Sequence, residues 1–343
     1  MKKYLFLISI FFLSCQEEIT LELPSGGDKL VVQASIENGF PPYVILTKNQ
    51  GYFDPIDVNT YNDLFVSNVD EMKIWYTNEE GLIIDSKDLE LFPIELSELF
   101  TGQQLPIYTV TDLDSSNIND YKFSESGRKY FLEIKWNNQV ITSETTIPNP
   151  TPLDCLWVEQ SETAENDWKC DIRAIYSDPA NEQNNILIKS KRIQHFNFNK
   201  DSCLSKSQPD LQLKLVDAGS DILINGESFE TYFPRPGDNG FPTGKYNSKR
   251  EKECDNGYIV DIEEDVVLIK FCQIDEPSMK FWRGLVRQAG TNGNPFAEPM
   301  NLTSNINGGL GVFTGYGAVY YTVPILKDTT LTKQRETTIF DIF

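Results

Sequence analysis

Gly127-Arg-Lys-Tyr-Phe-Leu-Glu-Ile-Lys-Trp-Asn-Asn-Gln-Val-Ile-Thr-Ser-Glu-Thr-Thr-Ile147 is the stretch that decides the fold. Tyr130–Lys135 and Val140–Ile147 are two short runs rich in β-branched and aromatic residues, joined through Asn137-Asn138. Asparagine tolerates the left-handed dihedrals a tight hairpin turn needs, so the segment reads as a β-hairpin. Working back toward the N-terminus, the same pattern recurs in short pieces. Glu71–Tyr76 alternates Met72, Ile74 and Tyr76 with Lys73 and Trp75, then turns at Asn78-Glu79-Glu80-Gly81 into Leu82-Ile83-Ile84. Leu30–Ile36 ends at Asn38-Gly39, and Pro41-Pro42 introduces Tyr43–Thr47. Short strands divided by turns predict a β-sandwich of immunoglobulin or transthyretin type over residues 29–149.

Pro148-Asn149-Pro150 breaks the pattern, and the domain boundary is expected there. Residues 150–343 read as a larger β-rich second domain. Strands are expected near Leu156, at Cys170–Tyr176, Asn185–Phe198, Leu211–Val216, Ile222–Ile224, Tyr258–Ile262, Val266–Cys272 and Gly317–Leu326. One helix is predicted over Asp275–Gln288: Asp275 suits the N-cap, Pro277 the first turn, and Met279, Trp282, Leu285 and Val286 recur at helical spacing. The fold class is therefore all-β, in two domains with one helix.

The N-terminus carries an address. Lys2 and Lys3 precede an apolar run from Tyr4 to Leu13, and Ser14-Cys15 follows. A basic start and a short apolar stretch mark a secretory signal, here residues 1–14. Phe12-Leu13-Ser14-Cys15 resembles a bacterial lipobox, with Phe12 in place of the usual Leu, and implies lipid attachment at Cys15. Gln16-Glu17-Glu18 opens an acidic tether, residues 15–28, and resembles the Bacteroidetes export signal that carries lipoproteins to the cell surface.

Without residues 1–14 the chain has 28 basic and 51 acidic residues, a net charge of −23. Such a chain is repelled by nucleic acid and anionic lipid, and nucleic acid is excluded as a partner. After the signal no apolar run reaches the ~20 residues of a membrane helix, so the lipid is the only expected membrane attachment.

Cys203 and Cys254 lie in charged, loop-like contexts and form the candidate disulfide of an exported protein. Cys155, Cys170 and Cys272 sit beside apolar residues, as buried strand cysteines do. Neither C-x-x-C nor a second histidine accompanies His195, so no metal site is expected, and His195 itself reads as a structural strand residue. Nucleophile-elbow, phosphate-loop, zincin and kinase signatures are missing, and no cofactor is expected. Asp112-x-Asp114-x-Ser116 resembles the start of a calcium loop but has Asn117 and Phe123 at its sixth and twelfth positions; it reads as a solvated β-loop. Asp328-Thr329-Thr330 resembles a Bacteroidetes O-glycosylation acceptor, making Thr329 a candidate.

A family resemblance is spread along the mature chain. It comprises Lys29–Ile36, Pro42–Thr47, Tyr52-Phe53, the Gly127–Pro148 hairpin region, Asp221–Gly226, Asn294–Pro299 and, most specifically, Ser304–Phe313. Together these segments resemble the Bacteroidetes lipoprotein family catalogued as domain of unknown function 4249, over about residues 15–325. The resemblance supplies no catalytic residues. It implies a setting beside TonB-dependent outer-membrane receptors. The function expected is a non-enzymatic binding or accessory subunit of such a barrel, lipid-anchored in the outer membrane and facing the cell exterior. The alternative is a glycan-directed surface protein, either an adhesin or a carbohydrate-active enzyme using two acids.

Overall fold

The computed structural model describes residues 29–49, 63–101, 104–114, 116–160, 170–180, 182–197, 212–221, 226–234, 251–253, 259–291, 301–324, 333–334 and 338–342. The deciding hairpin is present as expected. β6 (Lys129–Trp136) pairs antiparallel with β7 (Gln139–Thr146), and Asn137 and Asn138 take φ values of 50° and 61° at the turn. Tyr130, Leu132 and Ile134 point inward and are essentially buried, while Phe131, Glu133 and Lys135 face outward.

Seven further strands build the first half of the fold: β1 (Leu30–Glu37), β2 (Tyr43–Lys48), β3 (Glu71–Thr77), β4 (Ile83–Leu91), β5 (Ile107–Val110), the short β15 (Ile306–Asn307) and β16 (Leu310–Pro324). Their order is β16-β1-β2-β5-β4-β3-β6-β7-β15. β4 turns the corner between the two layers: Leu89–Leu91 pair with β5, and Ile83–Asp88 pair with β3. The core between the layers takes Leu30, Val32, Ala34 and Ile36 from β1, Met72 and Ile74 from β3, and the inward residues of β6. Each aliphatic side chain buried there is worth about 1.5–3 kcal/mol relative to exposure.

β16 joins the two halves of the chain. It pairs in parallel with β1 on one edge and antiparallel with β14 (Ile259–Gln273) on the other. Strands from both sides of Pro148–Pro150 therefore share one 14-stranded sheet. The chain crosses β16 closely at that point: a Cβ added at Gly315 would lie 2.3 Å from Thr146 O, and one at Gly317 2.1 Å from Pro148 O. Only glycine permits that approach.

β14 replaces the two strands expected at Tyr258–Ile262 and Val266–Cys272. Its partner β10 (Asn185–Asn197) shifts register between His195 and Phe196, leaving Glu263 opposite no residue. A β-bulge thus accommodates the acidic run that interrupts the apolar pattern. β11 (Lys214–Ser220), β13 (Glu251–Glu253) and β17 (Lys333–Gln334) complete the large sheet. A separate three-stranded sheet of β8 (Cys155–Gln160), β9 (Cys170–Ser177) and β12 (Ser228–Phe233) packs on one face, through Ile172, Tyr176 and Phe233 against Ile269, Phe271 and Tyr321.

Among the described residues, two helices of eight residues or more accompany these strands. α1 (Ile94–Thr101) was not anticipated, because eight residues give little periodic signal. The Pro93 carbonyl accepts from Leu96 and Ser97 N–H, and Ser97 Oγ bonds Ile94 O at 2.7 Å. The predicted helix is α2 (Glu276–Thr291), three residues longer at its C-terminal end. Asp275 caps it, accepting the Ser278 N–H at 2.9 Å, while its other oxygen accepts from Thr145 Oγ1 at 2.7 Å and fixes the helix to β7. Met279 and Trp282 bury the helix against the face of the large sheet opposite the three-stranded layer. No described helix is long and apolar enough to cross a membrane.

Candidate functional site

The outward face of β4-β3-β6-β7 carries a partly exposed aromatic pair and, at one end, exposed aliphatic residues. Trp75 on β3 stands opposite Phe131 on β6, with their rings stacked at 5.7 Å and 15°. Lys129 Nζ lies 5.3 Å from the Phe131 ring and 2.7 Å from Glu144 Oε1, giving the pair a charged border. At the end of this face the β3–β4 turn holds Leu82, Ile83 and Ile84 in solvent, 61%, 62% and 56% exposed. Asn78 builds the turn, its Oδ1 accepting N–H groups from Glu80 at 3.1 Å and Leu82 at 2.9 Å, and Gly81 takes φ 81°. The three apolar residues are thus presented by an ordered turn. Three consecutive exposed aliphatics beside a stacked aromatic pair are unusual on a protein surface and make this turn the candidate interaction site.

The opposite pole of the chemistry is buried. Beneath α2 and the C-terminal 3-10 turn (Ile339–Asp341), adjacent strands align Tyr43 and Ser35, Glu37 and Tyr316, and Tyr320, Lys270 and Lys189 on one face. Lys270 forms an ion pair with Glu37, with side chains 2% and 7% exposed. Tyr320 donates to the other Glu37 oxygen at 2.8 Å. Burial is the largest influence on the Lys270 amine and pulls it down, but the Glu37 carboxylate and the neighbouring Cys272, Tyr316 and Tyr43 together hold the amine above its ordinary value. Lys189 lies 4.5 Å from the Trp282 ring, and burial lowers its amine. Burial also pushes the Cys272 thiol up to about 12, so it is inert as a nucleophile. This cluster has the residue types of an active site, yet it is covered by α2 and works as a structural polar core.

Two depressions open elsewhere. One, of about 170 Å³, is almost wholly apolar and lies between Tyr43, Phe92, Ile107, Leu113, Ile339 and Ile342. The other, of about 350 Å³, is lined by Asp70, Glu71, Asp88 and Glu90. Lys135 and Lys73 hydrogen-bond Glu71 and hold its carboxyl below the usual range. A carboxylate kept ionised by two lysines is the reverse of the protonated general acid a glycosidase needs.

Several sequence candidates, Cys15, Gln16, Glu17, Glu18, Cys203, Cys254 and Thr329, lie outside the described residues. His195 falls in β10 opposite Glu264. Asp114 Oδ1 accepts from Ser116 N and Oγ and from Asn117 N, closing its own loop, and Asp112 accepts from Lys87 at 2.8 Å and Tyr121 at 2.6 Å. Cys272 is buried as expected, but Cys155 is exposed, because it begins β8 rather than sitting within it. Asn305 bonds both ways with the Phe313 backbone, at 2.9 and 2.7 Å, so the Ser304–Phe313 segment is a packed entry to β16. No local pattern signals that Leu82–Ile84 stays exposed, since an apolar run after a turn reads as an ordinary strand.

Fold and surface define an all-β protein built on one large mixed sheet. The chain belongs to the family described as Domain of unknown function (DUF4249), matched over residues 16–321. No curated protein matches it. A solved structure of trypsin-activated alpha-2-macroglobulin from Escherichia coli aligns at 9% identity with a TM-score of 0.20, over 73% of this chain and 15% of that one. This chain thus spans a small part of that protein, and at that score the likeness carries no argument.

Proposed function

We propose that the protein is an outer-membrane lipoprotein, anchored through Cys15 and facing the cell exterior. It acts as a non-enzymatic binding or accessory subunit of a TonB-dependent receptor or similar outer-membrane barrel. The observation that supports this best is the Leu82–Ile84 turn continuous with Trp75 and Phe131. Strand registers put that turn at the end of the sandwich away from Leu30, where the tether enters: Leu30 neighbours Gly309 and the Val140 end of β7, whereas β3 ends beside Tyr130. A lipid tether confines such a surface near membrane partners and raises their effective concentration.

Gentle-detergent purification of the tagged native protein is expected to bring down a barrel, and Cys15→Ser to abolish palmitate labelling. Recovery of the protein alone, with protease shaving placing it in the periplasm, would refute the proposal. A glycan-directed role is the second reading, because partly exposed stacked rings can also receive a sugar face. Binding of oligosaccharides in a glycan array, lost in Trp75→Ala, would favour it.

A further inference from the structure

The corner strand β4 has an open side. Its Leu89–Leu91 end pairs with β5, but β5 stops at Val110. Among the described residues, Ile83–Asp88 pair with β3 and with no other strand. Ser86 N–H donates to its neighbour's carboxylate, Asp85 Oδ1, at 2.8 Å. A six-residue open edge whose first two side chains are exposed isoleucines is a template for an added strand.

We propose that Ile83–Asp88 binds a partner by β-augmentation, and that the partner supplies an extended segment with apolar residues flanked by Lys or Arg. This rests on the accessory role proposed above and names the surface and mode by which it is carried out, the segment being an extracellular loop of the barrel. Charge selects the occupant. Asn78–Leu91 contains Glu79, Glu80, Asp85, Asp88 and Glu90 against Lys87 alone, and Lys87 is already bonded to Asp112. A second copy would set five carboxylates against five, and like charges on facing strands are destabilising. An anionic lipid surface is disfavoured for the same reason. A basic strand gains from both the backbone ladder and the acidic turn, and Leu82–Ile84 offer its side chains an apolar contact.

The test uses the full-length lipidated protein in native membranes, with a photo-crosslinking amino acid at Ile84 or, as control, at exposed Tyr232. Crosslinked peptides are sequenced, and amide exchange at Ile83–Asp88 is compared between the captured complex and the protein purified alone. The expected result is an Ile84 crosslink to a Lys- or Arg-flanked segment of the barrel, with roughly tenfold slower exchange at these amides. Glu79→Lys with Glu80→Lys, both at exposed positions, should weaken capture about tenfold while thermal stability holds. A barrel that co-purifies without protection of Ile83–Asp88 overturns the edge inference and leaves the accessory role standing. Crosslinks to a second copy or to lipid overturn it too. If no barrel is captured at all, both fall together.

Discussion

Removing the Glu37 carboxylate tests whether the polar centre of the sheet is structural. In Glu37→Gln, Lys270 remains 98% buried beside the Tyr316 and Tyr320 rings, having lost the group that keeps it charged. Breaking a buried ion pair from one side costs about 3–5 kcal/mol. At 1.4 kcal/mol per decade the folding constant falls by two to three and a half orders of magnitude. The Tyr320 hydroxyl, which donates to Glu37, falls within the same loss. Glu37→Gln with Lys270→Met should recover most of it and lie within about 1 kcal/mol of the parent, since a matched neutral pair leaves no bare charge. Urea unfolding of the parent, the two single variants and the double closes the cycle. The pH dependence adds a signature. With Glu37 gone, burial dominates at Lys270, because Cys272, Tyr316 and Tyr43 are themselves held protonated by burial, and its folded pKa falls below the unfolded 10.5. The unfolded chain then binds the extra proton, so the variant gains stability as pH rises toward 10. A cost under 1 kcal/mol, or a double variant as unstable as the two singles combined, would refute the reasoning.

Gly311→Ala should prevent folding, because its φ is 102° and a Cβ would meet Val32 O at 2.0 Å; Gly290→Ala, with open space in α2, should be neutral or stabilising by up to ~1 kcal/mol in the same urea assay. Thiol labelling of the native protein should modify exposed Cys155 and spare Cys272 until unfolding, as read by peptide mass spectrometry. Stability should fall between pH 9 and 12, since folded Cys272 holds its proton to about 12 while the unfolded thiol releases it near 9; Cys272→Ala should remove up to ~4 kcal/mol of that dependence, measured by urea midpoints across the range. Trp75→Ala with Phe131→Ala should leave the melting temperature within a few degrees yet abolish recovery of the barrel in pull-downs.

The legible parts of this fold are those written locally. Asn137-Asn138 fixes its hairpin, Asp275 its helix start, and alternation its outward and inward faces, because turn dihedrals, caps and pleat act within a few residues. The parallel pairing of β1 with β16 spans most of the chain, and no local pattern announces it. Its only trace in the sequence is the run of glycines at 308, 309 and 311, where an added Cβ would meet the backbone of Val140, Leu30 and Val32. The same limit hid the surface. Leu82–Ile84 reads as an ordinary strand after a turn, and it stays exposed because β5 ends at Val110 and no described strand reaches the corner.

The buried cluster makes the converse point about function. Glu37, Lys270, Cys272 and Tyr320 come from three strands separated by up to 283 residues, and together they have the composition of a catalytic centre. What decides against that role is cover and protonation. α2 and the C-terminal turn cover them, the Lys270 amine is held charged by its partner, and the thiol is pushed away from the thiolate. Nucleophilic chemistry needs the opposite on every count: access, a neutral amine, an ionised sulfur. Chemistry available to a partner therefore lies on the outward face of β4-β3-β6-β7, where backbone edge, stacked rings and acidic turn fall on three adjacent strands.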